Sequence, residues 1–152
     1  MSGENSAKVL SIPVKPEILG FVSPKIAVGI SPTLGIRGIV AVEGIMSGEI
    51  LECSPVILVG REHHVLLDSS MLRYYYFEWD ERYDAVPLGY AAVYNHSYQA
   101  NAEYVHDHER NMLSFRACRD IAVGEEVTVN YNGEHNDETP IEDKYLSQID
   151  DS

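Results

Sequence analysis

Only two cysteines occur, Cys53 and Cys118, and they stand in unrelated contexts. There is no CxxC pair, so neither a disulfide scaffold nor a structural zinc site has a pattern behind it, and no metal is expected. Both read as small apolar residues within strands, and such sparse use suits a reducing compartment. Long apolar runs are missing as well. No stretch of ~18 apolar residues appears, and Met1 to Ser11 lacks the apolar core of a secretory signal. A soluble protein with no membrane partner is expected. Basic residues are also scarce: 11 Lys and Arg stand against 24 Asp and Glu, for a formal charge of -13. Such a surface repels nucleic-acid phosphates and attracts basic partners, although acidity by itself also serves solubility.

What is present suits one globular domain: 152 residues, 45% hydrophobic. Helical periodicity is weak. Instead, short β-rich runs broken by Gly, Pro and Asn cover Lys25–Ile30, Arg37–Val42, Glu49–Leu58, Asn101–Asp107, Met112–Arg119 and Glu125–Tyr131. Residues 1–20, with Pro13 and Pro16, read as a flexible leader. Short helices are expected at Ser70–Trp79 and from Thr139 to about Ile149, where Thr139, Pro140 and Glu142 suit N-cap, N1 and N3; Leu88–Tyr94 suits a turn or short helix. The final stretch holds Glu134, Asp137, Glu138, Glu142, Asp143, Asp150 and Asp151 against the single base Lys144. It reads as a solvated tail or as the flank of a site for a cationic peptide.

Three segments, in order, form a pattern more specific than any one of them. The first is Gly35-Ile36-Arg37-Gly38-Ile39-Val40-Ala41 with Ile45 and Gly48-Glu49. The second is Asn95-His96-Ser97-Tyr98-Gln99-Ala100-Asn101, and the third runs from Ala117 through Arg119-Asp120-Ile121 and Gly124-Glu125-Glu126 to Asn130-Tyr131. Together they resemble the SET-domain protein-lysine methyltransferases over about Ile26 to Tyr131. The minimal stand-alone bacterial and viral members are nearest, since Tyr76-Phe77-Glu78-Trp79 and Leu88-Gly89-Tyr90 also fit them. Two departures stand out. Ile36 occupies the first glycine position of the family's GxG, with Gly35 one place earlier, so the cofactor loop is expected to take a slightly different path. Ala100 replaces the usual Pro, which removes a rigid turn residue but no chemical group.

The resemblance implies a mostly β fold, the β-clip of several small sheets with a knot-like C-terminal crossing and a few short helices. It implies a catalytic domain over residues 21–134. No cysteine follows Tyr131, so the family's zinc-binding post-SET module is not expected; the acidic segment 135–152, with its short helix, would close the site instead. The implied cofactor is S-adenosyl-L-methionine, held by Ile36, Arg37 and Gly38, largely through backbone, and by Asn95 and His96. His96 as a plain core histidine is the alternative. The implied partner is a basic protein or peptide, a histone or other Lys-rich protein, with no direct nucleic-acid contact. A homodimer that covers exposed strand edges is the favoured assembly. The location is cytoplasmic, or nuclear and chromatin-associated for a eukaryotic or viral source.

Methyl transfer to lysine needs a neutral amine, yet free lysine, with a pKa of ~10.4, is neutral in only roughly one molecule in 10³ at neutral pH. A narrow aromatic channel disfavours the ammonium by desolvation, while tyrosine hydroxyls orient the amine. Ten tyrosines are available. Tyr131 falls where the family places its catalytic tyrosine, against the bland reading of a strand-end aromatic. Tyr104, three residues after Asn101, is either an active-site tyrosine or a cross-strand aromatic. Tyr76 is the third candidate, and Tyr74 and Tyr75 compete with it.

Two other readings fit less of the chain. His106, His108 and Glu109, with His63 and His64, suggest a cupin-like metal-binding β-barrel, but His106–Asn111 also reads as a hairpin turn with exposed histidines. A catalytically inactive SET fold that binds basic peptides explains charge and fold equally well.

Overall fold

The computed structural model describes residues 15–141. Among these residues, ten strands lie in two sheets. Strands β1 (Phe21–Val22), β4 (Ile50–Gly60), β5 (Phe77–Glu78), β6 (Tyr83–Pro87), β8 (Ala102–Asp107) and β9 (Met112–Ala117) form the larger. Its order is β5-β6-β4-β9-β8, with β1 paired to β4 off that path. Strands β2 (Ile26–Ile30), β3 (Arg37–Ala41), β10 (Glu126–Val129) and β7 (Asn95–His96) form the smaller, in the order β2-β3-β10-β7.

Alternation drives the longer strands. In β9, Leu113, Phe115 and Ala117 point inward while Ser114 and Arg116 do not, and in β10 Val127 and Val129 are fully buried. These side chains join Ile39, Leu51, Trp79, Ala85, Tyr94 and Ile121 in one core. Burying each large apolar group contributes roughly 1.5–3 kcal/mol. The eleven-residue β4 serves two neighbours: Ile50–Pro55 face β9, and Val56–Gly60 face β6.

The six expected strands match β2, β3, β4, β8, β9 and β10 within two residues at either end. Helix is scarcer than Ser70–Trp79 suggested. Only Met71–Tyr74 coils, as a 3-10 turn begun by Ser70 Oγ accepting from Leu72 N, and Phe77–Glu78 is drawn into pairing with β6. The single α-helix among the described residues, α1 (His64–Asp68), is five residues long, too short to leave a periodic signal. Leu88–Tyr94 forms turns, and Asp107 closes the β8–β9 hairpin by accepting from the N–H groups of Glu109 and Arg110. Thr139–Ile141 is not helical, and the rest of the expected terminal helix lies outside the described residues, as does most of the leader.

Candidate active site

The smaller sheet gathers the three sequence segments. Strand β10 lies between β3 and β7, antiparallel to the first and parallel to the second, with Thr128 opposite Asn95 and Val129 opposite His96. This is the C-terminal crossing that the resemblance implied. A two-residue strand such as β7 has few ladder bonds of its own, so side chains supply the rest. Asn101 Nδ2 donates to Glu126 O at 2.8 Å while its Oδ1 accepts from Thr128 N at 2.9 Å. Asn95 Nδ2 donates to Arg37 O at 3.0 Å and to Glu126 Oε1 at 2.7 Å, and Glu126 Oε2 accepts from Ser31 Oγ. Each replaces water with a fixed partner, a contribution of ~1 kcal/mol net and a larger loss if one partner is removed.

Glycine is required where these groups meet. A Cβ at Gly38 would lie 2.5 Å from Glu126 Oε1 and 2.7 Å from Asn95 Nδ2. The departure at Ile36 is resolved by its neighbour: Gly35 takes the left-handed turn at φ 71°, so Ile36 needs no positive φ.

Tyr131 lies two residues beyond β10 and is fixed at three points. Its N–H donates to His96 Nδ1 at 3.1 Å, its hydroxyl donates to Tyr94 O at 2.8 Å, and its carbonyl accepts from Tyr104 OH at 3.3 Å. Burial holds the Tyr131 hydroxyl well above its ordinary pKa, with smaller contributions from Tyr104, Glu126 and Tyr75. It is a phenol, not a phenolate, throughout the physiological range. Burial likewise lowers the pKa of His96 and favours the neutral ring that accepting from Tyr131 demands. Its Nδ1 is then the acceptor and its Nε2 carries the proton.

Tyr94 is anchored in turn. Its ring stacks on Phe115 with centroids 4.4 Å apart, and its hydroxyl donates to Glu52 Oε1 at 3.2 Å. Glu52 is wholly buried; burial raises its pKa, while bonds from Tyr90 N–H and Tyr94 OH work against the rise. A carboxylate inside the larger sheet thereby sets the carbonyl that receives the Tyr131 hydroxyl.

Above this floor opens a cleft of about 750 Å³, walled by residues 74–78, by Ala91, Ala92 and Tyr94, by residues 104–106, and by residues 131–134 with Pro140 and Ile141. The segment after Tyr131 folds back over it: Asn130 and Asn132 donate to carbonyls of Asp137 and Thr139, and Ile141 N–H donates to Tyr98 OH. Tyr131, Tyr104 and Tyr76 all line this cleft. Tyr76 differs from the other two, because its hydroxyl donates to Asp68 at 2.9 Å. Tyr75, the neighbour that competed for its role, receives a bond from Arg37 Nη2 at 3.4 Å and lies close enough to influence Tyr131. Asn95, His96, Arg37 and Gly38 adjoin one another across β7, β10 and β3, with Ile36 half-buried beside them. Neither Glu52 nor Tyr94 was among the expected site residues. A glutamate within an apolar strand carries no motif, whereas Tyr94 stands directly before Asn95-His96 and Glu126 lies inside the third segment.

The histidines of the cupin-like alternative do not converge as a ligand set. His106 and His108 pack against Trp79, with ring centroids 4.8 and 4.7 Å away, and the one His/Cys/Asp/Glu group of ligand spacing among the described residues lies elsewhere.

Strands curled around a tyrosine cleft, with the C-terminal strand crossing beside it, define the class. The SET domain model matches residues 36–132, and the chain belongs to the SET-domain family of protein-lysine methyltransferases. It is 29% identical over 100 residues to a Schizosaccharomyces pombe histone-lysine N-methyltransferase specific for H3 lysine-37, covering 65% of this chain and 67% of that protein. It is also similar to the crystal structure of a Plasmodium falciparum protein described as a histone methyltransferase. There the TM-score is 0.57 at 30% identity, over 72% of this chain and 99% of the other.

Proposed function

We propose that this enzyme transfers a methyl group from S-adenosyl-L-methionine to the ε-amine of a lysine in a basic protein, with a histone tail as the substrate class. The observation that carries this reading is the setting of Tyr131, a protonated phenol fixed at the floor of an aromatic cleft between Tyr104 and Tyr75.

The residues present fit the cofactor on two counts. His96 Nε2 is buried with no partner among the described residues, and an acceptor on a bound group would satisfy it. Arg37 is exposed and has no carboxylate partner among them, which suits an aminoacyl carboxylate. When bound, S-adenosyl-L-methionine supplies an electrophilic methyl on a cationic sulfonium. The chain's own part is to select and aim the amine. The aromatic walls disfavour the ammonium by desolvation. Tyr131, whose hydroxyl donates a hydrogen bond to Tyr94 O, can still accept at oxygen and orient an amine N–H. Tyr104, bonded to the Tyr131 carbonyl, keeps the channel narrow.

The rim supports a basic substrate. Glu78 and Glu134 line the cleft on different walls, both are exposed, and neither has an ion-pair partner among the described residues. Cations flanking the target lysine would find these carboxylates. Incubation with labelled S-adenosyl-L-methionine and a histone mixture tests the reading, which expects label on lysine. Cofactor binding with no transfer to any basic protein would favour the peptide-binding alternative.

A further inference from the structure

We propose that Glu103, Cys118 and His135 form a binding site for one zinc-like divalent metal ion, which fastens the segment after Tyr131 to the larger sheet. Glu103 lies in β8, Cys118 directly follows β9, and His135 belongs to the segment that folds back over the cleft. One ligand atom from each lies within 4.8 Å of the other two. A thiol, an imidazole and a carboxylate together suit zinc or cobalt(II), whereas calcium and magnesium prefer all-oxygen sets.

Two details sharpen the geometry. His135 Nδ1 stands 3.7 Å from Glu103 Oε2, too long for a hydrogen bond. That is close to the roughly 3.3–3.5 Å edge between nitrogen and oxygen ligands placed ~2.0–2.2 Å from a tetrahedral ion. Arg116 holds the other oxygen of the same carboxylate, Oε1, at 2.5 Å and leaves Oε2 for the metal. Outer partners of this kind orient ligands at metal sites. Without metal, burial and the Glu103 charge push the Cys118 thiol up to about 11. Coordination takes the thiolate, so uptake of one ion forms an S–metal bond and releases one proton to solvent. Because Gly133 and Glu134 line the cleft next to His135, filling the site orders one wall of the lysine channel.

The competing account is a cluster held by hydrogen bonds and charge alone, with Glu103 as common acceptor. Cobalt(II) titrated into tag-free, chelator-stripped full-length protein separates the two. One equivalent should bind and give a thiolate-to-cobalt charge-transfer band in the near ultraviolet. Cys118→Ser should abolish the band. His135→Ala, at a half-exposed position that leaves the core intact, should weaken binding by more than the roughly 10–100-fold typical of removing a group that only orients a ligand. Absence of the band in the native chain overturns the site, as does its persistence in Cys118→Ser. If Cys118→Ser fails to fold, His135→Ala decides, and unchanged cobalt affinity in that variant overturns the site equally.

Discussion

The two sheets are held by different means. The larger sheet has long strands whose alternate residues feed a continuous apolar core, with Leu51, Leu113 and Phe115 fully buried. Two-residue strands occur in both, and Ile39, Val127 and Val129 of the smaller sheet join the same core, but the smaller also relies on Asn95, Asn101 and Glu126, whose side chains bridge strand to strand. The first arrangement tolerates apolar exchange of similar volume, since burial is non-directional. The second does not, because each amide has a specific donor and acceptor in place. Tyr131, the residue proposed for catalysis, lies just beyond β10 of the second and leans on the first through the Glu52–Tyr94–Tyr131 connection.

The largest expected effect is on the apolar side. Phe115→Ala removes a wholly buried ring stacked on Tyr94 and should cost about 3–5 kcal/mol in denaturant unfolding. Tyr131→Phe should instead lower turnover by ~10²-fold or more, as misplacement of reacting groups does, with a stability loss of only about 1–3 kcal/mol from the orphaned Tyr94 carbonyl. Near-normal turnover in that variant would move the role to Tyr104 or Tyr75. Asn101→Ala should cost about 1–3 kcal/mol and, unlike Phe115→Ala, should weaken cofactor binding out of proportion to its effect on stability. If calorimetry finds cofactor affinity unchanged, the division between the sheets fails.

A smaller effect concerns pH. Burial lowers the pKa of His96 and His106 below the ordinary 6.5, so the unfolded chain accepts protons that the folded one resists. Their contribution to stability is complete above about pH 6.5 and is lost as pH falls through the lower folded values. His106→Gln should flatten the acid limb of a thermal-stability profile, and an unaltered limb would show that other groups set it. The smallest effect belongs to the rim: raising salt should weaken basic-peptide binding, with a Debye length of ~10 Å at 0.1 M, while cofactor affinity changes little. Equal salt dependence for both would leave the acidity to solubility alone.

The same division governs what was legible in the sequence. Strands β8, β9 and β10 announce themselves by alternation and by turn residues at their ends. Strand β7 is too short for any period, and the family motif marks Asn95-His96 as a site segment without marking it as a strand. Ser70–Trp79 suits a helix in sequence because an aromatic run fits a helical stripe as readily as the turn leading into an edge strand that it forms. Tyr131, proposed as the catalytic tyrosine, stands out in the sequence through its motif. Its supports do not: Glu52 reads as an anomaly in an apolar run until the fold sets Tyr90 and Tyr94 against it. Likewise, choosing among Tyr74, Tyr75 and Tyr76 depends on where β5 begins, which no local pattern fixes.

The most direct test is mass spectrometry of a Lys-rich histone tail after incubation with S-adenosyl-L-methionine and either the native chain or Tyr131→Phe. The account predicts lysine-borne methyl groups with the native chain and a rate lower by ~10²-fold or more with the variant, both proteins being folded and binding cofactor. Methylation of equal rate by both, or none by a native chain that binds the cofactor, would contradict it.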